Sequence, residues 1–194
     1  TGGHLERVRD YAGTMAAWLA AQPDADERID EEFITLLRAT SALHDIGKVS
    51  IPDCILLKPG RLSEEEFEVM KTHAAAGAET LDGALRQFPE ARFLQIGHDI
   101  AKHHHERFDG KGYPDGLAGE DIPLCARIFA LADVYDALVS RRVYKKAMPH
   151  DVARQILLDG AGTQFDEEVV QAFSACEQTF MDIQVRYAGD QAAA

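Results

Sequence analysis

The feature that most constrains this chain is the spacing of its apolar residues, which is helical nearly from end to end. His4, Val8, Tyr11, Met15 and Trp18 recur at intervals of 4, 3, 4 and 3, one face of a helix that should stop before Pro23. Asp30 reads as an N-cap, with Glu31 and Glu32 suiting the helix dipole. The apolar face that follows, Phe33, Leu36, Leu37, Thr40, Leu43 and His44, runs to a stop at Gly47. Residues 47–62 carry Pro52, Pro59 and Gly60 and read as a loop, and Ser63-Glu64-Glu65-Glu66 is a capping box opening the helix that holds His73. Further helices are expected near 90–106, around Ile128, Leu131, Ala132, Tyr135 and Leu138, from Pro149 to Gly160, and over 166–186. No run alternates with period two, so the expected fold class is all-α: one helical bundle over residues 1–186, with a frayed Ala-rich tail at 187–194.

Composition narrows the function classes. With 194 residues, 46% of them apolar, the chain can bury one substantial core, which excludes disordered, collagen-like and disulfide-scaffold readings. Twenty basic against 33 acidic side chains leave a net charge of −13, a poor surface for duplex nucleic acid. Cys54, Cys125 and Cys176 form no C-x-x-C pair and point to a reducing, cytoplasmic setting. No stretch is apolar enough for a membrane span, and the start at Thr1 has no leader layout. That start suggests a piece of a longer protein with a regulatory region upstream.

The chemistry lies in inward-facing polar residues. His-Asp occurs at 44–45, 98–99 and 150–151, so the dipeptide alone says nothing. His98-Asp99 reads as a helix-surface pair and His150-Asp151 as a charged first turn. His44-Asp45 differs, because it ends an apolar face and runs into Ile46-Gly47-Lys48. His4 shares the inner face of its helix. Asp133 stands in Ile128-Phe129-Ala130-Leu131-Ala132-Asp133-Val134-Tyr135, where a buried carboxylate is costly unless paired or bound to a metal. His73 and the run His103-His104-His105-Glu106 add further donors. Any one of these has a bland reading as a hydrogen-bonded core group. Together they are the donor set from which helix bundles build open metal sites, and imidazole with carboxylate but no thiolate suits iron, manganese, cobalt, nickel or zinc. Five inward histidines and two inward carboxylates, seven donors, suit two metals sharing one carboxylate, an arrangement that activates a bridging water against a phosphate ester.

These residues resemble the HD-GYP family, a branch of the HD-domain phosphohydrolases that hydrolyses cyclic di-GMP. The resemblance runs from Thr1-Gly2-Gly3-His4 to about Phe173. It rests on His44-Asp45-Ile46-Gly47-Lys48, Ile51-Pro52-Asp53, Leu56-Leu57-Lys58-Pro59-Gly60 and Met70-Lys71-Thr72-His73. It continues through His104-His105-Glu106, Asp109-Gly110-Lys111-Gly112-Tyr113-Pro114 and Ala126 to Leu138. The resemblance implies two divalent transition metals, iron or manganese, held by His4, His44, Asp45, His73, His104, His105 and Asp133. Asp45 would bridge, with His4, His44 and Asp133 on one metal and His73, His104 and His105 on the other. His103 would be a bystander. Lys48 would contact a substrate phosphate, and Arg142 with Lys145 would form a phosphate-binding pair. The Gly112-Tyr113-Pro114 loop would lie by the site and meet diguanylate cyclase (GGDEF) domains, and a receiver or sensor domain would stand upstream.

The implied reaction is hydrolysis of cyclic di-GMP by a metal-bound hydroxide to pGpG, GMP or both. Some members carry a glutamate four residues before the first histidine, supporting a third metal; that position falls before Thr1. Val143 stands where the family often has proline. The alternatives are an HD hydrolase acting on another cyclic dinucleotide or nucleotide, a non-catalytic receptor, and a metal-free bundle with satisfied core histidines.

Overall fold

The computed structural model describes residues 2–140 and 147–191. Nine helices occur among them: α1 (Gly2–Ala20), α2 (Glu31–Thr40), α3 (Asp53–Leu56), α4 (Glu64–Gln87), α5 (Arg92–His103), α6 (Leu124–Val139), α7 (His150–Asp159), α8 (Glu167–Ala175) and α9 (Glu177–Gln191). No strand is present among the described residues, only isolated bridges at Asp109–Ala118 and Ala161–Phe165.

The bundle is built around α6. Twelve of its sixteen residues are buried, as expected of a helix apolar on all sides. α1, α5, α7 and α8 pack on it, α1 also meets α2 and α9, and α4 lies along α5. The core joins Tyr11, Met15, Leu37, Ile100, Ile128, Phe129, Leu131, Tyr135, Leu157, Phe173 and Phe180. Tyr11 stacks on Phe180 and meets Tyr135 edge-on, so α1, α6 and α9 share one aromatic seam. α1 and α6 therefore run side by side, and side chains one turn apart on each can meet.

Local capping follows the sequence. Asp30 accepts the Phe33 N–H at 2.6 Å, and Ser63 with Glu66 forms the full capping box. Several boundaries differ from expectation. The helix expected to reach Gly47 stops at Thr40, where the Thr40 and Ser41 hydroxyls bond back to Leu36 O at 2.8 Å and Arg38 O at 2.6 Å. Two 3₁₀ segments, Ser41–Leu43 and Ile46–Ser50, follow, and α3 interrupts the expected loop. Gly47 is accordingly a residue of close approach and no helix stop: a Cβ there would lie 2.0 Å from His73 O and 2.4 Å from Gly77 N. The segment 166–186 is two helices, broken at Cys176. α5 ends at His103, leaving His104 as its C-cap, and Pro149 is an N-cap residue. α9 runs into the tail expected to fray, as far as Gln191.

Candidate metal centre

Two groups of donors converge where α1, α4, α5, α6 and the Ser41–Ser50 turns meet. In the first, α1 supplies His4, α6 supplies Asp133 and the turn after Ser41–Leu43 supplies His44, with donor atoms within 4.8 Å of one another. His4 Nδ1 lies 2.8 Å from Asp136 Oδ2, and its Nε2 lies 3.6 Å from Asp133 Oδ1. His44 Nδ1 donates to Ser41 O at 2.7 Å. In the second group, α4 supplies His73 and the end of α5 supplies His104 and His105, again within 4.8 Å. His73 Nδ1 donates to Met70 O at 2.7 Å and His104 Nδ1 to Ile100 O at 2.9 Å.

Asp45 stands between the groups. Its Oδ2 lies 3.2 Å from His44 Nε2 and its Oδ1 lies 3.7 Å from His73 Nε2. Lys48 Nζ donates to Oδ2 at 2.6 Å. The close approach at Gly47 presses this turn against α4 and brings Asp45 beside His73.

The Gly112-Tyr113-Pro114 loop covers the second group. The Tyr113 ring stacks on His105 with centroids 4.7 Å apart, and the Tyr113 N–H donates to His105 O at 3.3 Å. Buried Glu106 accepts the Asp115 and Gly116 N–H groups at 2.8 and 3.1 Å, pinning the loop to the histidine run. Gly112 is required by contact, because a Cβ there would lie 2.4 Å from Glu106 Cα and from Arg107 N.

Residues 3–169 match the HD domain family. The chain belongs to the HD-domain family, in its HD-GYP branch. A cyclic di-GMP phosphodiesterase of Vibrio cholerae is 49% identical over 96% of the chain and 38% of its own length. A cyclic di-GMP phosphodiesterase response regulator of Xanthomonas campestris is 46% identical over 89% of the chain and 42% of its own length. The chain thus spans about two-fifths of these relatives. A solved cyclic GMP-AMP specific phosphodiesterase of V. cholerae shares the fold with a TM-score of 0.60 at 22% identity, covering 95% of this chain and 48% of that one.

HD-domain proteins depend on divalent metal, and the donor chemistry here fits one. A backbone carbonyl can only accept, so the Nδ1 atoms of His44, His73 and His104 carry the protons, as does that of His4 facing Asp136. In the neutral His73 and His104 rings each Nε2 is then a bare lone pair. His73 Nε2 and His104 Nε2 face each other at 3.5 Å. Two acceptors at that distance cannot bond each other, and a shared cation satisfies both. Metal-ligating histidines show this same pattern, with the second nitrogen held by a carboxylate or carbonyl.

The electrostatics divide along the same line. Burial pushes His104 well below the usual histidine range, with the neighbouring imidazoles adding to it, and brings His105 down to about 3. Burial lowers His73 as well. It opposes charge on His44 too, but the hydrogen bond and charge of Asp45, with Asp133, raise that residue on balance. Asp45 resists burial because His44 and Lys48 hold it well below the carboxylate range.

Several sequence expectations need amendment. Asp133 is half-buried, its side chain 19% exposed, while the fully buried acid of α6 is Asp136. Asp136 and its partner Arg7 were missed as site residues. The available signal was their spacing, one turn beyond Asp133 and His4 respectively. His150 is more than a charged first turn, since its Nδ1 lies 2.9 Å from the Tyr135 hydroxyl. His103 stands apart from both groups, its Nε2 3.1 Å from Asp115 Oδ2. Arg142 and Lys145 lie outside the described residues, as does Val143. A cavity of about 550 Å³ between α1, α8 and the 108–120 loop contains none of the clustered donors. The centre is marked by chemistry, not by cavity size.

Proposed function

We propose that this chain is a metal-dependent phosphodiesterase that hydrolyses cyclic di-GMP to linear pGpG, GMP or both. One observation carries the reading: Asp45 offers one carboxylate oxygen to His44 and the other to His73, each a member of a separate donor group. On this reading Asp45 would serve both of two divalent ions, His4, His44 and Asp133 would hold one, and His73, His104 and His105 would hold the other. Iron or manganese suits these nitrogen and oxygen donors. When bound, such a pair of ions lowers the pKa of a shared water and neutralises charge on a phosphoryl oxygen.

The chain's own residues do the rest. His73, His104 and His105 stay neutral at pH 7, so their lone pairs are available without losing a proton. Asp45 stays ionised. The Lys48 side chain, 39% exposed at the edge of Asp45, holds a substrate phosphate, and Arg142 with Lys145 holds the same diester or the second one. Two named relatives that act on cyclic di-GMP, at 46% and 49% identity, support the substrate.

The exposed side of the Gly112-Tyr113-Pro114 loop is the surface we assign to a diguanylate cyclase domain. The response-regulator relative supports a receiver domain upstream. Three unpaired thiols support a cytoplasmic setting. No helix among the described residues is long and apolar enough to cross a membrane.

The test is anaerobic incubation with cyclic di-GMP and iron or manganese, followed by chromatography of the products. 3′3′-cyclic GMP-AMP is the parallel substrate and the H44A/D45A variant the blank. Product that requires His44 and Asp45 is expected from cyclic di-GMP. Product only from cyclic GMP-AMP would overturn the substrate, and tight binding without product would make the chain a receptor.

A further inference from the structure

We propose that Asp136 is a positioning residue for one centre only: clamped by Arg7, it holds His4 and sets the metal affinity of the His4, His44 and Asp133 group. The inference rests on the metal reading above. Asp136 is 1% exposed on the most buried helix, where a carboxylate is costly without partners. It has three. Arg7 Nε donates to Oδ1 at 2.5 Å, Arg7 Nη2 donates to Oδ2 at 3.0 Å, and His4 Nδ1 donates to Oδ2 at 2.8 Å.

A purely structural ion pair between α1 and α6 would need only the arginine fork. The third bond is specific to the site, because it fixes the tautomer and ring plane of a donor whose Nε2 faces Asp133. The spacing repeats on both helices. His4 and Asp133 form the outer turn, and Arg7 and Asp136 the next turn inward. Arg7 Nη2 also donates to Ser140 Oγ at 2.9 Å, so the clamp reaches the end of α6. The second group has no such dependence. His73 and His104 are held by carbonyls of their own helices, three or four residues back.

The effect of losing Asp136 should therefore be confined to one of two sites. Outer-shell partners of this kind are worth about 10–100-fold in metal affinity. The experiment strips the protein by chelation and titrates Mn²⁺, reading free ion by electron paramagnetic resonance, for wild type, D136N and H4Q. Wild type is expected to take two ions. In D136N one should weaken about 10–100-fold and the other should stay within about twofold, and D136N added to H4Q should weaken the affected site little beyond H4Q alone. Equal weakening of both sites, or none, overturns the inference. A wild type that binds no Mn²⁺ overturns the metal reading and this inference with it. A second measurement needs no variant of Asp136: nitrogen-15 spectra of the metal-free wild type, assigned with H4Q, should find His4 protonated at Nδ1. Protonation at Nε2 alone would overturn the inference even if D136N failed to fold.

Discussion

The two donor groups differ in how one histidine is held: His44, His73 and His104 are each oriented by a carbonyl three or four residues back, whereas His4 is oriented by a distant carboxylate. The His73, His104 and His105 group is all imidazole, and two of its three rings are oriented by carbonyls of the helices that carry them. The His4, His44 and Asp133 group contains an acid, and its first histidine is oriented by a residue 132 positions away. The first kind of order survives as long as α4 and α5 are helical. The second exists only when α1 and α6 are packed in register. Asp45 belongs to both, so the sharpest way to break the comparison is to remove it. Asp45→Asn should reduce turnover of cyclic di-GMP at least about a hundred-fold, the scale of several kcal/mol of metal-assisted stabilisation. It should also lower Mn²⁺ affinity at both sites together. Loss at one site alone would mean that Asp45 is not shared.

The next largest effect is expected where the groups are pressed together. In Gly47→Ala the new methyl would meet backbone atoms of His73 and Gly77, neither of which can rotate away. Overpacking of this kind costs about 1–3 kcal/mol, and here the strain falls between Asp45 and His73. The melting temperature should drop, and metal retention should fall more than for an equally destabilising substitution far from the site. Equal metal retention at equal stability would show that the Gly47 contact serves the fold alone.

Acid separates the groups by sign. His105, His104 and His73 are held below the usual histidine value near 6.5, so below that pH the unfolded chain takes up protons that the folded chain refuses. Stability of the metal-free protein should therefore fall as pH drops below about 6.5, by about 1.4 kcal/mol per pH unit for each such ring. For His105 the window extends down to its folded value of about 3. His44 runs the other way: its value is raised, so its contribution is complete below about 6.5 and is lost as pH rises through the folded value. His105→Gln should flatten the slope of denaturation free energy between about pH 6.5 and 5 by roughly one such contribution. An unchanged slope would mean that His105 is not held neutral by its surroundings.

What was legible in the sequence follows the same division. The capping box at Ser63, the Asp30 cap and the inner face of α1 are local, and each is set by residues within about a turn of one another. The donors themselves were readable because histidine and aspartate on apolar helical faces are conspicuous, and because short stretches such as His44-Asp45-Ile46-Gly47-Lys48 resemble a family. The Thr40 break was not legible from periodicity, since hydroxyl back-bonding competes with the helix without altering its apolar spacing. Asp136 and Arg7 were missed for a different reason. Their meaning lies in a pairing across 129 residues, and only the packing of α1 on α6 creates it.

The smallest effect tests whether the loop supports the second group as Asp136 is proposed to support the first. Tyr113 stacks on His105 at 4.7 Å with an interplanar angle of 28°, a contact worth about 0.5–1.5 kcal/mol. Tyr113→Phe keeps the ring and should leave Mn²⁺ affinity unchanged. Tyr113→Ala removes it, freeing His105 to turn, and should weaken only the second site by about two- to tenfold. If Tyr113→Phe weakened binding as much as Tyr113→Ala, the phenol hydroxyl and not the stack would be the active part. If Tyr113→Ala weakened the first site instead, the loop would act across Asp45, and the two groups would be one mechanical unit rather than two.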